Sequence, residues 1–254
     1  MLKKDRLLAS LSVIFVLTEV ALGILLQTSG RYSAEFSYAA IAVSALFCLL
    51  LFTNTANFYL TQLGLLFTLA ADYFLVLVSP REQLYGMLCF SVTQICYFLR
   101  LYLSHGSKRA RRAHLTVRCI AVLAALALTV LVLGEGADVL SLVSLFYYSN
   151  LILNLAVAVL QIRRSPLFPS ALLLFLLCDT VIGLQVMADS YIPSFTGSAL
   201  YPLLYPDFNL AWAFYLPSQA LIPLSLLTER KVAKSSGGTS SKTEVAELRL
   251  VKVV

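Results

Sequence analysis

Long apolar runs separated by short polar breaks occupy almost the whole chain. They cover approximately 7–26, 36–53, 58–78, 84–104, 115–133, 139–161, 167–187 and 208–227. At ~1.5 Å of rise per residue, each suffices to cross ~30 Å of hydrocarbon as a helix, the second being the shortest. The pattern predicts an all-α fold, a polytopic membrane bundle of eight transmembrane helices. No hydrophilic linker divides it, so residues 1–230 are expected to form one membrane domain. Residues 231–254, with the run Ser235-Ser236-Gly237-Gly238-Thr239-Ser240-Ser241, read as a flexible cytoplasmic tail. The first run superficially looks like a signal peptide. It is too long and lacks a small-x-small cleavage site, so it is expected to remain as a span.

Composition agrees. The chain is 59% hydrophobic and 13% charged, against about 45–50% and about 25% in soluble domains. The net charge of +6 could suggest nucleic acid, but the cations fall in loops and tail, where membrane topology places them. Lys3, Lys4, Arg6, the basic stretch Lys108 to Arg118, Arg163, Arg164 and the tail cations fall on one side; only Arg31 and Arg81 fall on the other. The bias predicts both termini in the cytoplasm. Cys48, Cys89, Cys96, Cys119 and Cys178 all lie in apolar runs, as small buried hydrophobes do. The loop 188–207, with Tyr191, Phe195, Tyr201 and Tyr205 among prolines, is expected to lie at the outer membrane surface.

Against this background the polar residues within the runs stand out. An acid inside a span costs about 2.5–3.5 kcal/mol on insertion scales and usually marks function. From the outer ends of their spans, Asp72 lies ~9 Å deep, Asp179 ~12 Å and Glu19 ~11 Å. Tyr215 (~11 Å), Gln94 (~15 Å) and Gln219 (~16 Å) lie at similar or slightly greater depth. No lysine or arginine lies in that layer, so the acids have no evident counter-charge. Without one, burial favours the neutral carboxyl, and at least one of the three is expected to be protonated near neutral pH. Gly64, Thr68 and Asp72 form a four-residue stripe on one helix face, where Gly64 permits close helix approach and Thr68 can hydrogen-bond Asp72. Gln94 and Tyr97 share a face, as do Tyr215 and Gln219. Polar side chains of this kind also serve simply as interhelical glue.

Other chemistries lack their residues. The two histidines, His105 and His114, lie in the basic stretch between the fourth and fifth spans, so no metal site is expected within the bundle. No G-x-S-x-G and no Walker loop occurs. Carboxyl acid–base chemistry, or binding, is left.

The stripe Gly64-x3-Thr68-x3-Asp72 resembles the Gly-x3-Ser-x3-Asp of the YhhN family, also called the TMEM86 or lysoplasmalogenase family. Phe90, Gln94 and Tyr97 resemble its Phe-x3-His-x2-Tyr. Phe175, Cys178 and Asp179 resemble its Phe-x2-Ser-Asp, and Tyr215-x3-Gln219-x-Leu221-Ile222 its Tyr-x3-Gln-x-Leu-Ile. The chain departs from the pattern at Gln94 (His in the family) and Cys178 (Ser), and lacks the Lys-Pro that often opens the second span. The resemblance implies an eight-span membrane hydrolase, without metal or cofactor, that cleaves the vinyl ether bond of lysoplasmalogens in the plasma membrane of a bacterium. It implies Asp72 and Asp179 as the catalytic pair, with Thr68, Gln94, Tyr97, Tyr215, Gln219 and Glu19 around the substrate. The partner would be a membrane lipid or lysolipid and not nucleic acid. The alternative is a non-catalytic lipid-binding or proton-coupled transport protein that keeps the same fold.

Overall fold

The computed structural model describes residues 2–30, 33–78, 82–104, 107–191, 198 and 201–229. The tail 231–254, the turn residues 79–81, and Arg31 and His105 lie outside them. Among the described residues nine α-helices form in order: α1 (Leu2–Thr28), α2 (Ser33–Leu50), α3 (Ala56–Asp72), α4 (Gln83–Leu103), α5 (Lys108–Leu133), α6 (Val139–Leu160), α7 (Leu167–Tyr191), α8 (Tyr201–Leu204) and α9 (Leu210–Glu229). All but the short α8 are long and apolar enough to cross a membrane, giving the eight expected spans. Their exposed faces carry Leu17, Ile120, Leu123, Leu131 and Leu160. A continuous apolar exterior of this kind suits hydrocarbon and not water.

Short connections make successive spans antiparallel. The near end of the bundle holds the starts of α3, α5 and α7 and the ends of α4, α6 and α9; the far end is opposite. α4 packs between α3 and α6, α2 between α1 and α3, and α6 against α5 and α7. α9 joins the two halves. Its Ala220 packs with Phe15, Phe47 and Leu51, its Leu216 with Leu26 and Ala40, and its Tyr215 and Ile222 belong to the main core. α4 and α9 are accordingly the most buried spans.

Local signals set several starts. Thr55 accepts the Phe58 N–H (3.3 Å), Ser107 that of Ala110 (3.1 Å) and Asp138 that of Ser141 (2.7 Å), as N-cap side chains do. The Ser141 hydroxyl and N–H together hold the Asp138 carboxyl, outside the spans, below the ordinary aspartate range.

The Ser107 cap starts the fifth span earlier than the expected 115–133, within the basic stretch Lys108 to Arg118. α5 already begins at Lys108, because capped Lys, Arg and Ala are good helix formers. His114 is therefore helical, and Arg118 is buried in the bundle instead of lying in a loop. At the far end α3 continues through one π-helical turn, Tyr73–Leu77, closed by the Val78 N–H on the Tyr73 carbonyl at 3.0 Å. Such turns often mark functional positions, and this one directly follows Asp72. The connection after α7 folds back on it: Gln185 donates to the Leu204 carbonyl (2.7 Å), and the Tyr205 hydroxyl to the Gln185 carbonyl (3.3 Å). Phe195 and Pro193 of this connection lie outside the described residues.

Gly64 does permit a close approach. A Cβ there would sit 2.6 Å from Cε1 of Tyr97, whose buried ring is held edge-on against Phe168 (centroids 5.5 Å). We expect Gly64→Ala to lower stability by about 1–3 kcal/mol, read as a lower thermal midpoint in detergent micelles. Adding Tyr97→Leu should recover part of the loss, and an unchanged midpoint in Gly64→Ala would refute the contact.

Candidate functional site

In the far half of the bundle two aspartates enter a shared aromatic enclosure from different helices. Asp72, at the end of α3, is buried, and its Oδ2 accepts the Tyr215 hydroxyl of α9 at 2.8 Å. Asp179, on α7, accepts a short hydrogen bond from the Tyr147 hydroxyl of α6. The rings of Phe90, Tyr147, Phe175 and Tyr215 form one cluster. Centroids are 5.5 Å apart for Phe90–Tyr147, 5.7 Å for Phe90–Phe175 and 5.3 Å for Phe175–Tyr215. Phe175, one turn before Asp179 on α7, meets the ring of Tyr215, which bonds Asp72, so the two carboxyls flank the same rings. Cys178, next to Asp179 in the chain, is buried. Neither aspartate has an ion-pair partner among the described residues. Each thus keeps an oxygen free of its tyrosine, in a setting of five helices and mostly apolar walls.

The remaining expected site residues divide into separate groups. Thr68 does not bond Asp72: its hydroxyl meets Thr93 at 3.3 Å, and Thr93 also donates to the Gly64 carbonyl at 3.1 Å. The four-residue spacing puts Thr68 on the correct face, but its nearest oxygen partner lies across on α4. Glu19 is buried between α1 and α2, where it accepts the Ser44 hydroxyl at 2.8 Å. It belongs to a second, smaller contact and not to the aspartate enclosure. Gln94 turns toward α6, its Oε1 accepting Asn154 Nδ2 at 2.9 Å, while its Nε2 has no partner among the described residues. Tyr97 lies fully buried over Gly64. Gln219 is buried one turn below Tyr215, and its Oε1 has no partner among the described residues.

The family model for the YhhN family matches residues 34–226. This chain belongs to the YhhN family. No curated protein and no solved structure matched it. The match spans α2 through most of α9 and so includes both aspartates, both tyrosines and the ring cluster of this YhhN protein.

Three side chains important to this geometry were not singled out by the sequence. Tyr147 carries Asp179. Its signal was the α6 stripe Tyr147, Asn150, Asn154 and Ala158, all buried at helical spacing. Arg118 donates to Asn150 Oδ1 and Asn154 Oδ1, each at 2.6 Å, and its guanidinium lies 4.3 Å from the Phe98 ring centroid. Through Asn154 this network reaches Gln94, the position where the family pattern has histidine. Arg100, near the end of α4, donates to Thr61 (3.0 Å), Ser225 (2.7 Å) and Glu229 (2.6 Å) and lies 3.9 Å over the Phe168 ring. A cation inside an apolar span is as costly as an acid, and that rule would have found both arginines.

Proposed function

We propose that this protein is a lysoplasmalogenase-like membrane hydrolase that cleaves the vinyl ether of alkenyl lysophospholipids at Asp72 and Asp179. The observation that carries the reading is the pair itself: a buried carboxyl from α3 and a partly buried one from α7, each held by one tyrosine, beside one aromatic cluster. Vinyl ether hydrolysis begins with proton transfer from a carboxylic acid to the β-carbon of the double bond. The oxocarbenium carbon that results takes up water, whose proton passes to a carboxylate. The hemiacetal then breaks its C–O bond, giving a fatty aldehyde and a glycerophospho compound with a free hydroxyl. Two carboxyls in one low-dielectric site can divide the acid and carboxylate roles. The aromatic faces of Phe90, Phe175, Tyr147 and Tyr215 favour the developing cation.

The reading seats the alkenyl chain in an apolar groove on the bundle, one ring contact away from Tyr215. An apolar groove of about 370 Å³ runs between α1 and α9, lined by Val20, Gly23, Ile24, Trp212 and Leu216. Trp212 meets Tyr215 edge-on at 5.0 Å, and Tyr215 bonds Asp72. Purified protein supplied with a 1-alkenyl lysophospholipid is expected to release aldehyde, and none from the saturated 1-alkyl analogue, which cannot be protonated at carbon. No aldehyde from the alkenyl lipid in the native protein or in Gln94→His would remove the hydrolase reading and leave lipid binding or proton-coupled transport.

The same reading puts the chain in the plasma membrane of a bacterium. The cation bias of the sequence supports a cytoplasmic near end, with both termini there. A reporter fused at the C-terminus should be active only in the cytoplasm, and activity outside would reverse the orientation.

A further inference from the structure

At the near end, α4, α6, α7 and α9 enclose a half-open cleft of about 320 Å³. We propose that this cleft is a binding site for a phosphate group, distinct from the aspartate pair. Its volume falls in the ~300–1,000 Å³ range of small-molecule sites. Arg100, Arg164, Gln161, Ser165, Asn57 and Glu229 supply its polar lining.

Four features converge there. Ser165 is only 8% exposed, and its hydroxyl has no partner among the described residues. Buried hydroxyls are almost always hydrogen-bonded, so this one points to a ligand oxygen. α7 begins at Leu167, beside Ser165, and its helix dipole favours an anion there. Arg164 donates to the Ser104 carbonyl with one Nη, and a guanidinium has further donors to offer. Arg100 already holds an anionic oxygen, that of Glu229, whose second oxygen accepts Asn57 at 3.1 Å. Planar guanidinium groups suit phosphate oxygens.

We place this site apart from the head-group position of a lipid reacting at the aspartates. Thr61, bonded to Arg100, lies eleven residues before Asp72 on the same helix, or ~16 Å along its axis. In a lysoplasmalogen seven bonds separate the protonated carbon from phosphorus, or at most ~10.5 Å at ~1.5 Å per bond. The cleft therefore takes a second phosphate-bearing molecule, and its fate is independent of the hydrolase reading.

The test uses the full chain in phosphate-free maltoside micelles. One arm measures labelled inorganic phosphate by equilibrium dialysis; the other measures lysophosphatidic acid by native mass spectrometry. Saturable binding in either arm is expected, and the responding arm tells a free phosphate from a lipid head group. Arg164→Gln with Ser165→Ala should weaken that binding by at least about 10-fold, as loss of a charge-assisted hydrogen bond does. Glu229→Gln, which removes the competing carboxylate, should strengthen it severalfold. No saturable binding in either arm overturns the proposal, as does binding indifferent to the double variant. Should the double variant misfold, Arg164→Gln, at an exposed position, decides alone: unchanged binding overturns it.

Discussion

Asp72→Asn and Asp179→Asn are each expected to reduce aldehyde release from a 1-alkenyl lysophospholipid by about 10²–10⁴-fold, the usual contribution of a general acid or base. Asparagine keeps the shape of the side chain and still accepts the tyrosine hydroxyl, so the helices should stay together and only the exchangeable proton is lost. Tyr215→Phe and Tyr147→Phe remove one hydrogen bond to Asp72 and Asp179 respectively and leave both carboxyls. Their rates should fall by only about 2- to 13-fold, the equivalent of one such bond at ~0.5–1.5 kcal/mol. The contrast between the two classes is the informative result. Equal losses in all four variants would indicate that the enclosure is structural, and undiminished release in both aspartate variants would remove them from the chemistry.

The helices and the two aspartates were legible in the chain because each depends on local information. Uninterrupted apolar length is a property of consecutive residues, and an acid inside such a run is conspicuous without any knowledge of its neighbours. Helical spacing likewise put Gly64, Thr68 and Asp72 on one face. What spacing cannot supply is the identity of the facing helix. Thr68 has the correct register for Asp72 but bonds Thr93, and Glu19 matches the depth of the aspartates while its partner is Ser44 on α2. Arg118 was lost for another reason. It closes a run of basic residues that reads as a loop, whereas the Ser107 cap starts α5 early and carries the guanidinium in toward Asn150 and Asn154. Basic clusters at span boundaries are ambiguous in this way, since the same residues terminate a hydropathy window and continue a helix.

Arg100→Leu is expected to cost about 3–5 kcal/mol of stability, because it leaves Glu229 at a largely buried position without its cation. Arg100 is 1% exposed, and its guanidinium ties α4 to α3 through Thr61 and to α9 through Ser225 and Glu229. At the other end of the bundle the Tyr215–Asp72 bond joins α9 to α3 again. α9 is thus fastened near both ends, and a loss at the near end should also loosen the aspartate enclosure. Arg100→Leu combined with Glu229→Leu removes both charges together and should restore most of the stability, as apolar replacement of whole buried ion pairs often does. Unfolding midpoints of the two single variants and the double variant in micelles measure the coupling directly. Additive losses in the double variant would mean that the pair contributes no coupling and that Thr61, Ser225 and the Phe168 ring hold Arg100 in place.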